Sequence, residues 1–332
     1  MLRIVFMGSD GIALPALNWL AGGKAHPAKV VGVFTQPDRP SGRGQKVVAN
    51  VIKAWALDRD IPVLQPERLG SSERDQLAAM KPDLVLVMAY GQILRQEVID
   101  TPRLGTFNLH TSILPAYRGA SPIQTAICCR EKETGVTLMR MVLRLDAGPV
   151  ADVERVSIEP RETAADLERK LGQACVPLLG RCLPRIADGT QELTSQDESK
   201  ATYCRRLEKT DGVLDFHAPA ASLAARVNGL APWPGCTVEI DSQAVKIGLA
   251  DMVSLPAYEP AAPGEVMGLH EGGLLVGTGE RKLRLLQLQR AGGRMLRADE
   301  FLRGFPVASG TKLASLPMPP LVASQPFPRR KG

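Results

Sequence analysis

An α/β sheet domain followed by a small β-barrel is the architecture the sequence predicts, on three observations. Apolar runs of strand length alternate with helix-spaced segments over residues 2–189. Most of these runs lack polar alternation, as strands covered on both faces do. Past a polar stretch, five shorter strand-like runs follow, separated by turn signals.

Taken in order, residues 2–8 enter directly as a strand and turn at Gly8-Ser9-Asp10-Gly11 into a helical pattern over 13–20. Residues 30–35 read as a second strand, 51–58 as a helix, 62–64 as a brief third strand, and Leu77-Ala78-Ala79-Met80 closes another helix. Asp83 to Met88 is the most apolar strand of all, and 105–110 and 135–142 continue a sheet expected to be parallel. A long helical stretch, 163–186, carries Leu167, Leu171, Val176, Leu179 and Leu183; Pro177 and Pro184 inside it predict a kink or a split. The first domain is expected to occupy 1–189. Polar residues without periodicity then mark a linker, 190–208. Strands at 237–240, 244–249, 264–269, 274–277 and 283–288, with hairpin turns at Asp241-Ser242 and Gly272-Gly273, predict a barrel within 209–314. The last stretch, 315–332, has five prolines and ends in Arg329-Arg330-Lys331 before Gly332, and reads as a mobile tail.

Composition narrows the function classes. With 332 residues and 44% hydrophobic content the chain can bury two cores, which excludes global disorder. The net charge of +6 permits an anionic partner without requiring one. Six cysteines without a CxxC pair point away from a zinc ribbon or a disulfide scaffold, and toward reduced thiols in a cytoplasm. No apolar run is long enough for a membrane helix, so no membrane partner is expected, and the first residues read as a strand and not as a signal peptide. Gly8-x-x-Gly11 has the wrong spacing for a dinucleotide fingerprint, and no Walker motif offers an anchor for phosphoryl transfer.

The candidate chemistry lies in 105–119. On a strand, Asn108 and His110 project to one side while Phe107 and Leu109 face the core on the other. The carboxyl end of a strand in an open α/β sheet is where such polar groups find a ligand. Asp146, in a glycine-containing loop beyond the end of the next strand, is expected over the same crevice. An amide, a titratable ring and a carboxylate together suit acyl transfer to an amine: a carboxylate favours an imidazolium, and ring and amide stabilise an oxyanion. A buried Asn–His pair bonded to backbone and a loop-capping aspartate are the structural alternatives. The run Met88 to Leu94 mixes apolar side chains with a glycine, as a flat aromatic ligand would want, and serves equally well as a plain strand-to-helix connection.

The series Phe107-Asn108-Leu109-His110-x-Ser112-Ile113-Leu114-Pro115-x-Tyr117-Arg118-Gly119, with Thr134-Gly135-Val136-Thr137 and Leu145-Asp146-Ala147-Gly148, resembles the folate-dependent formyltransferase family. Thr35-Gln36-Pro37-Asp38-Arg39-Pro40-Ser41-Gly42-Arg43-Gly44 resembles a loop carried by its tRNA-directed members. Ala231-Pro232-Trp233-Pro234-Gly235, Gly293-Arg294-Met295-Leu296 and Phe301-Leu302-x-Gly304 are similar to the C-terminal domain of those members. Thr111 and Ala116 depart from the family's pattern. The resemblance implies a Rossmann-like formyltransferase domain and an OB-like C-terminal barrel. It makes Asn108, His110 and Asp146 the catalytic set, and puts the folate near Ser112, Ile113, Leu114 and Pro115 and along Met88, Ala89, Tyr90, Gly91, Gln92, Ile93 and Leu94. The implied reaction moves a formyl group from 10-formyltetrahydrofolate to the methionine amine of initiator tRNA, with no metal, in a monomer.

Basic charge is clustered where it could track tRNA phosphates. Residues 281–312 hold eight Lys or Arg against Asp299 and Glu300, and the 36–46 loop adds Arg39, Arg43 and Lys46. Arg43 is the first candidate for an acceptor-stem contact, and Arg290 and Arg294 for contacts from the barrel. Solvated surface charge explains any one of these residues by itself. A sugar-nucleotide N-formyltransferase, a formyltetrahydrofolate hydrolase and a non-catalytic folate- or RNA-binding module are the competing readings; each leaves the basic C-terminal half harder to explain.

Overall fold

The computed structural model describes residues 1–22, 28–41, 46–254 and 261–328. The chain divides into two compact units, and not by a single cut. Residues 1–118, 135–156 and 168–201 form one; 119–134, 157–167 and 202–332 form the other.

Seven strands make the central sheet: β1 (Leu2–Gly8), β2 (Ala28–Phe34), β3 (Val63–Leu64), β4 (Leu84–Met88), β5 (Thr106–His110), β6 (Glu133–Arg140) and β7 (Val150–Ser157). Their order is β7-β6-β5-β4-β1-β2-β3. From β3 to β5 the pairings are parallel. Every residue of β4 is buried, which explains its unbroken apolar sequence. The expected parallel run stops at β5. Strand β6 is antiparallel to it, with Thr137 opposite His110 and Arg140 opposite Phe107. The helix between them, Pro122–Cys128, groups with the second unit, so no crossover helix carries the chain back for a parallel return.

Helix starts follow capping chemistry. Asp10 accepts from the Ile12 amide at the turn after β1, and Asn50 accepts from Ile52 and Lys53 to open helix Val51–Leu57. The long helix runs unbroken over Ala164–Asp188 with Pro177 and Pro184 inside, instead of splitting. Its face of Leu171, Cys175, Leu178, Leu179, Cys182 and Leu183 is buried, and that packing outweighs two missing backbone donors.

In the second unit, strands Cys236–Ile240, Gln243–Val253, Lys282–Arg290, Gly273–Gly277 and Val266–His270 lie in that spatial order, all pairings antiparallel, with Leu296–Arg297 beside Lys282–Arg290. The first hairpin turns at Asp241 and Ser242, both at positive φ, as a two-residue turn with matching twist requires. The second turns at Glu271-Gly272, one residue earlier than expected, and Gly273 already belongs to a strand. Helix Ala220–Leu230, not anticipated from the sequence, buries Leu223, Val227 and Leu230 in this unit's core. It meets helix Pro122–Cys128 at Gly229, where a Cβ would lie 2.6 Å from the Cys128 sulfur and 2.8 Å from the Gln124 carbonyl.

The stretch after 314, expected as a mobile tail, makes several contacts with the rest of the second unit. Leu321 is buried in the core, Val322–Ala323 pairs with Tyr203–Cys204, and the Pro319 and Pro320 carbonyls accept from Arg226 and Arg205. Prolines lack a donor but keep the carbonyl, so a proline-rich segment can still be bonded along one edge. Arg329-Arg330-Lys331 lies outside the described residues.

Candidate active site

Strand β5 aims two of the three candidate side chains. Its period of two buries Phe107 and Leu109 on one face, while Thr106, Asn108 and His110 share the other. Thr106 anchors that strand through a bond from its hydroxyl to the Ile99 carbonyl. The Asn108 amide is half-buried and makes no side-chain hydrogen bond to the protein among the described residues. Groups in that state are what ligands satisfy. His110 is nearly buried; its Nε2 lies 2.9 Å from the Tyr117 carbonyl, so that nitrogen carries a proton and donates it. Nδ1 then faces Asp146, 3.8 Å from Oδ2, with both side chains largely shielded from water.

Asp146 reaches His110 by a route the strand-end rule does not describe. Because β6 is antiparallel, its last residue sits beside Phe107, three positions before His110, and the 141–149 loop must double back. Two features let it. Gly148 packs so closely that a Cβ would stand 1.7 Å from the Arg140 carbonyl. Asp146 itself takes a left-handed backbone, φ 47, which aspartate tolerates better than most residues but at a strain cost of about 1–3 kcal/mol. What holds it there is a network absent from the sequence reading. Arg118, fully buried, donates from Nε and Nη2 to Gln196 Oε1 and from Nη1 and Nη2 to the Glu198 carboxylate. The Gln196 amide nitrogen donates to the Asp146 and Gly148 carbonyls at 2.8 and 2.7 Å. Arg144 also pairs with Glu198. The Arg118 bond, reinforced by the charges of Arg118 and Arg144, holds the Glu198 carboxyl below its usual range.

The other candidate residues divide by environment. Ser112 is fully buried and donates to the Ala116 carbonyl, while Thr137 donates to the Ser112 carbonyl and receives the Leu114 amide. These bonds set the shape of the 112–117 turn. Leu114 is buried, and Ile113 and Pro115 are half-exposed. In the run after β4, Met88, Tyr90 and Leu94 are buried, Tyr90 and Leu94 in an apolar core where burial pushes the Tyr90 phenol well up; Ala89, Gly91 and Ile93 are exposed and Gln92 bonds the Pro66 carbonyl. Exposed Ile93, together with Val142, Leu143 and Leu145 on the Asp146 loop, offers apolar surface of the kind a flat ring system covers. A cleft of about 630 Å³ lined by Gln243, Arg290 and Gly293, and one of about 330 Å³ lined by Asp152, Arg185 and Gln191, contain none of the three polar groups.

Among the basic candidates, Arg39 pairs with Glu67 and Arg294 with Glu300, each at 3.2 Å and well exposed, while Arg290 lies 5.7 Å over the Phe305 ring. Lys46 begins the short strand Lys46–Val48, paired with Arg39–Ser41. Arg43 lies outside the described residues. The root of this loop is anchored by Asp38, which accepts from Lys53 and Gln65 and is held below the usual carboxylate range by the Lys53 bond first. None of the six cysteines is in a disulfide; burial pushes Cys175 and Cys236 up to about 12, which keeps them as thiols. No metal-binding cluster and no helix long and apolar enough to cross a membrane occur among the described residues.

Comparison with known proteins identifies the family of the chain. Residues 2–181 match the family described as Formyl transferase and 206–306 its C-terminal domain. The methionyl-tRNA formyltransferase of Pseudomonas fluorescens strain Pf-5 is 42% identical over 296 residues, 89% of this chain and 91% of that protein. The methionyl-tRNA formyltransferase of Bacillus licheniformis is 39% identical over 315 residues, 94% and 98% of the two chains. Among solved structures, the Helicobacter canadensis N-formyltransferase with folinic acid and dTDP-3-aminofucose superposes with a TM-score of 0.63 at 19% identity, covering 87% of this chain and all of that one. HypX from Aquifex aeolicus in complex with tetrahydrofolic acid gives 0.59 at 17%, covering 91% of this chain and 47% of that one, so this chain spans about half of HypX. These two likenesses concern the fold. With both halves matched and close relatives aligned along most of its length, the chain belongs to the formyl transferase family.

Proposed function

We propose that the protein transfers the formyl group of 10-formyltetrahydrofolate to the α-amine of methionine on initiator tRNA, acting in the cytoplasm as a single chain to prepare translation initiation. The observation that carries the reading is the convergence of an unpartnered amide, a ring nitrogen and a carboxylate on one face of β5, in a chain whose close relatives carry that activity by name.

The exposed apolar side chains Ile93, Val142, Leu143 and Leu145 suit the pterin ring, and Ala89 and Gly91 leave room beside it. The donor supplies an activated formyl group; the amine attacks its carbon, and the bond to the folate nitrogen breaks as that nitrogen takes up a proton, so that the hydrogen shed by the amine, held in passing by Asp146, ends on the released tetrahydrofolate. Asn108 donates its amide hydrogen to the oxygen as negative charge develops, a role worth about 10²–10³ in rate. His110, fixed by the Tyr117 carbonyl, presents Nδ1 between that centre and Asp146. Asp146 orients the ring and receives the proton lost by the attacking amine. Arg39 and Arg294 contact tRNA phosphates at little cost, since their exposed ion pairs are worth only about 0–1 kcal/mol. Arg43, Lys46 and Arg290 complete the basic contacts.

Purified protein mixed with labelled formyl donor and methionine-charged initiator tRNA is expected to yield labelled RNA. Label on a nucleotide-linked amino sugar, with none on the RNA, would replace this reading with the sugar one.

A further inference from the structure

We propose that Gln196 is a positioning residue for the reaction, and that with Glu198 it forms a clamp around the buried Arg118 guanidinium that sets the direction of the Asp146 carboxylate; this rests on the function proposed above. The geometry leaves the amide of Gln196 one orientation. Its oxygen accepts two guanidinium hydrogens of Arg118, at 3.1 and 2.7 Å, so its nitrogen must point away, and there it meets the Asp146 and Gly148 carbonyls. Both of its donors and its acceptor oxygen are in use. The two carbonyls belong to the Asp146–Ala147 and Gly148–Pro149 peptide units, one on each side of the turn residue Ala147, so fixing them fixes the strained turn at Asp146.

The same guanidinium reaches the other half of the site. Arg118 follows Tyr117, whose φ is 60 and whose carbonyl receives His110 Nε2. A fully buried guanidinium cannot drift, because leaving it partly unpaired inside the protein is costly. Arg118 therefore locks His110 from one side and, through Gln196, Asp146 from the other. None of the three clamp side chains touches a reacting atom; they act through the backbone that carries those groups. Glu198 closes the clamp, binding Arg118 through both carboxylate oxygens.

The test is Gln196→Glu, with Gln196→Met as the second variant. The first keeps the size and the acceptors toward Arg118 but turns a double donor into an oxygen facing two carbonyls. The second removes the donors without adding charge. Both are expected to lower kcat by about 10–100-fold, as a displacement near 1 Å does, with KM for folate and tRNA within about threefold of wild type. The pH profile of kcat should change shape, and amide exchange should accelerate in 141–149 above all. Unchanged kcat and unchanged exchange in that segment would overturn the clamp, and so would faster exchange spread evenly over the unit with kcat and KM failing together. A wild type that leaves Met-tRNA unformylated, while exchange at 141–149 still accelerates in the variants, would retain the clamp and reject the function.

Discussion

Asn108 and His110 are aimed by a strand, Asp146 by a loop, and the two supports reach very different distances along the chain. In β5 the pleat alone puts both side chains on one face, and the parallel and antiparallel neighbours β4 and β6 hold the strand from either side. The 141–149 loop has no ladder of its own at Asp146. Its turn is kept by Gln196, 50 residues away, and Gln196 is oriented by Arg118, a further 78 residues back. Half of the site is therefore rigid through local backbone geometry and half through a side-chain network built around one buried arginine. Asn108, which leans on the strand alone, should be damaged only by changing it directly, whereas Asp146, and to a lesser degree His110 through the Tyr117 carbonyl, can be damaged from afar.

Substitution of His110 by alanine is the largest expected effect. It should reduce kcat by about 10²–10⁴-fold with folate affinity near that of wild type, because the ring acts on the reacting centre and not on the ground-state complex. Single-turnover kinetics beside a folate titration would check it. Turnover that survives would remove His110 from the chemistry. Gly148→Ala probes the loop without removing a polar group. The added methyl meets the Arg140 carbonyl, so the loop must move, and a loss of about 10²-fold in kcat is expected. Wild-type turnover there would mean the loop's path matters less than β5.

A pH dependence sharpens the contrast further. Glu198 titrates below its unfolded value, so the native state gives up that proton more readily than the unfolded chain. The clamp's contribution is then fully present above the ordinary carboxylate range and is lost as pH falls through the depressed native value. Exchange at 141–149, corrected for its intrinsic rate, should rise on acidification while β5 stays protected. Equal acid response in the two segments would contradict the comparison. The smallest effect belongs to the surface: Arg294→Ala should leave stability within about 0.5 kcal/mol and lower the salt dependence of tRNA binding by roughly one counterion. Arg43→Ala should weaken tRNA use more than folate use, read as KM for each.

What the sequence disclosed follows the same line. Strand β5 and its polar face were legible because period two is a local property, and apolar β4 announced its own burial. Asp146 was legible as a candidate, though through a strand-end argument that the antiparallel β6 invalidates; the loop's return is written in Gly148, whose meaning depends on a carbonyl it meets only after folding. Gln196 and Glu198 lay in a polar stretch without periodicity and read as linker, since nothing local says that a buried arginine awaits them. The contacts of the 315–328 stretch are illegible for a similar reason. Proline content signals the absence of helix, not the absence of docking.

That docked stretch decides where the protein can be cut or extended. Ending the chain at Ala314 would strip the edge from Tyr203–Cys204, bare the apolar seat of Leu321, and take from Arg226 one of its carbonyl acceptors, giving a sticky product. A purification handle belongs beyond Pro328, where the last described contact, Phe327 over Arg205, has already been made.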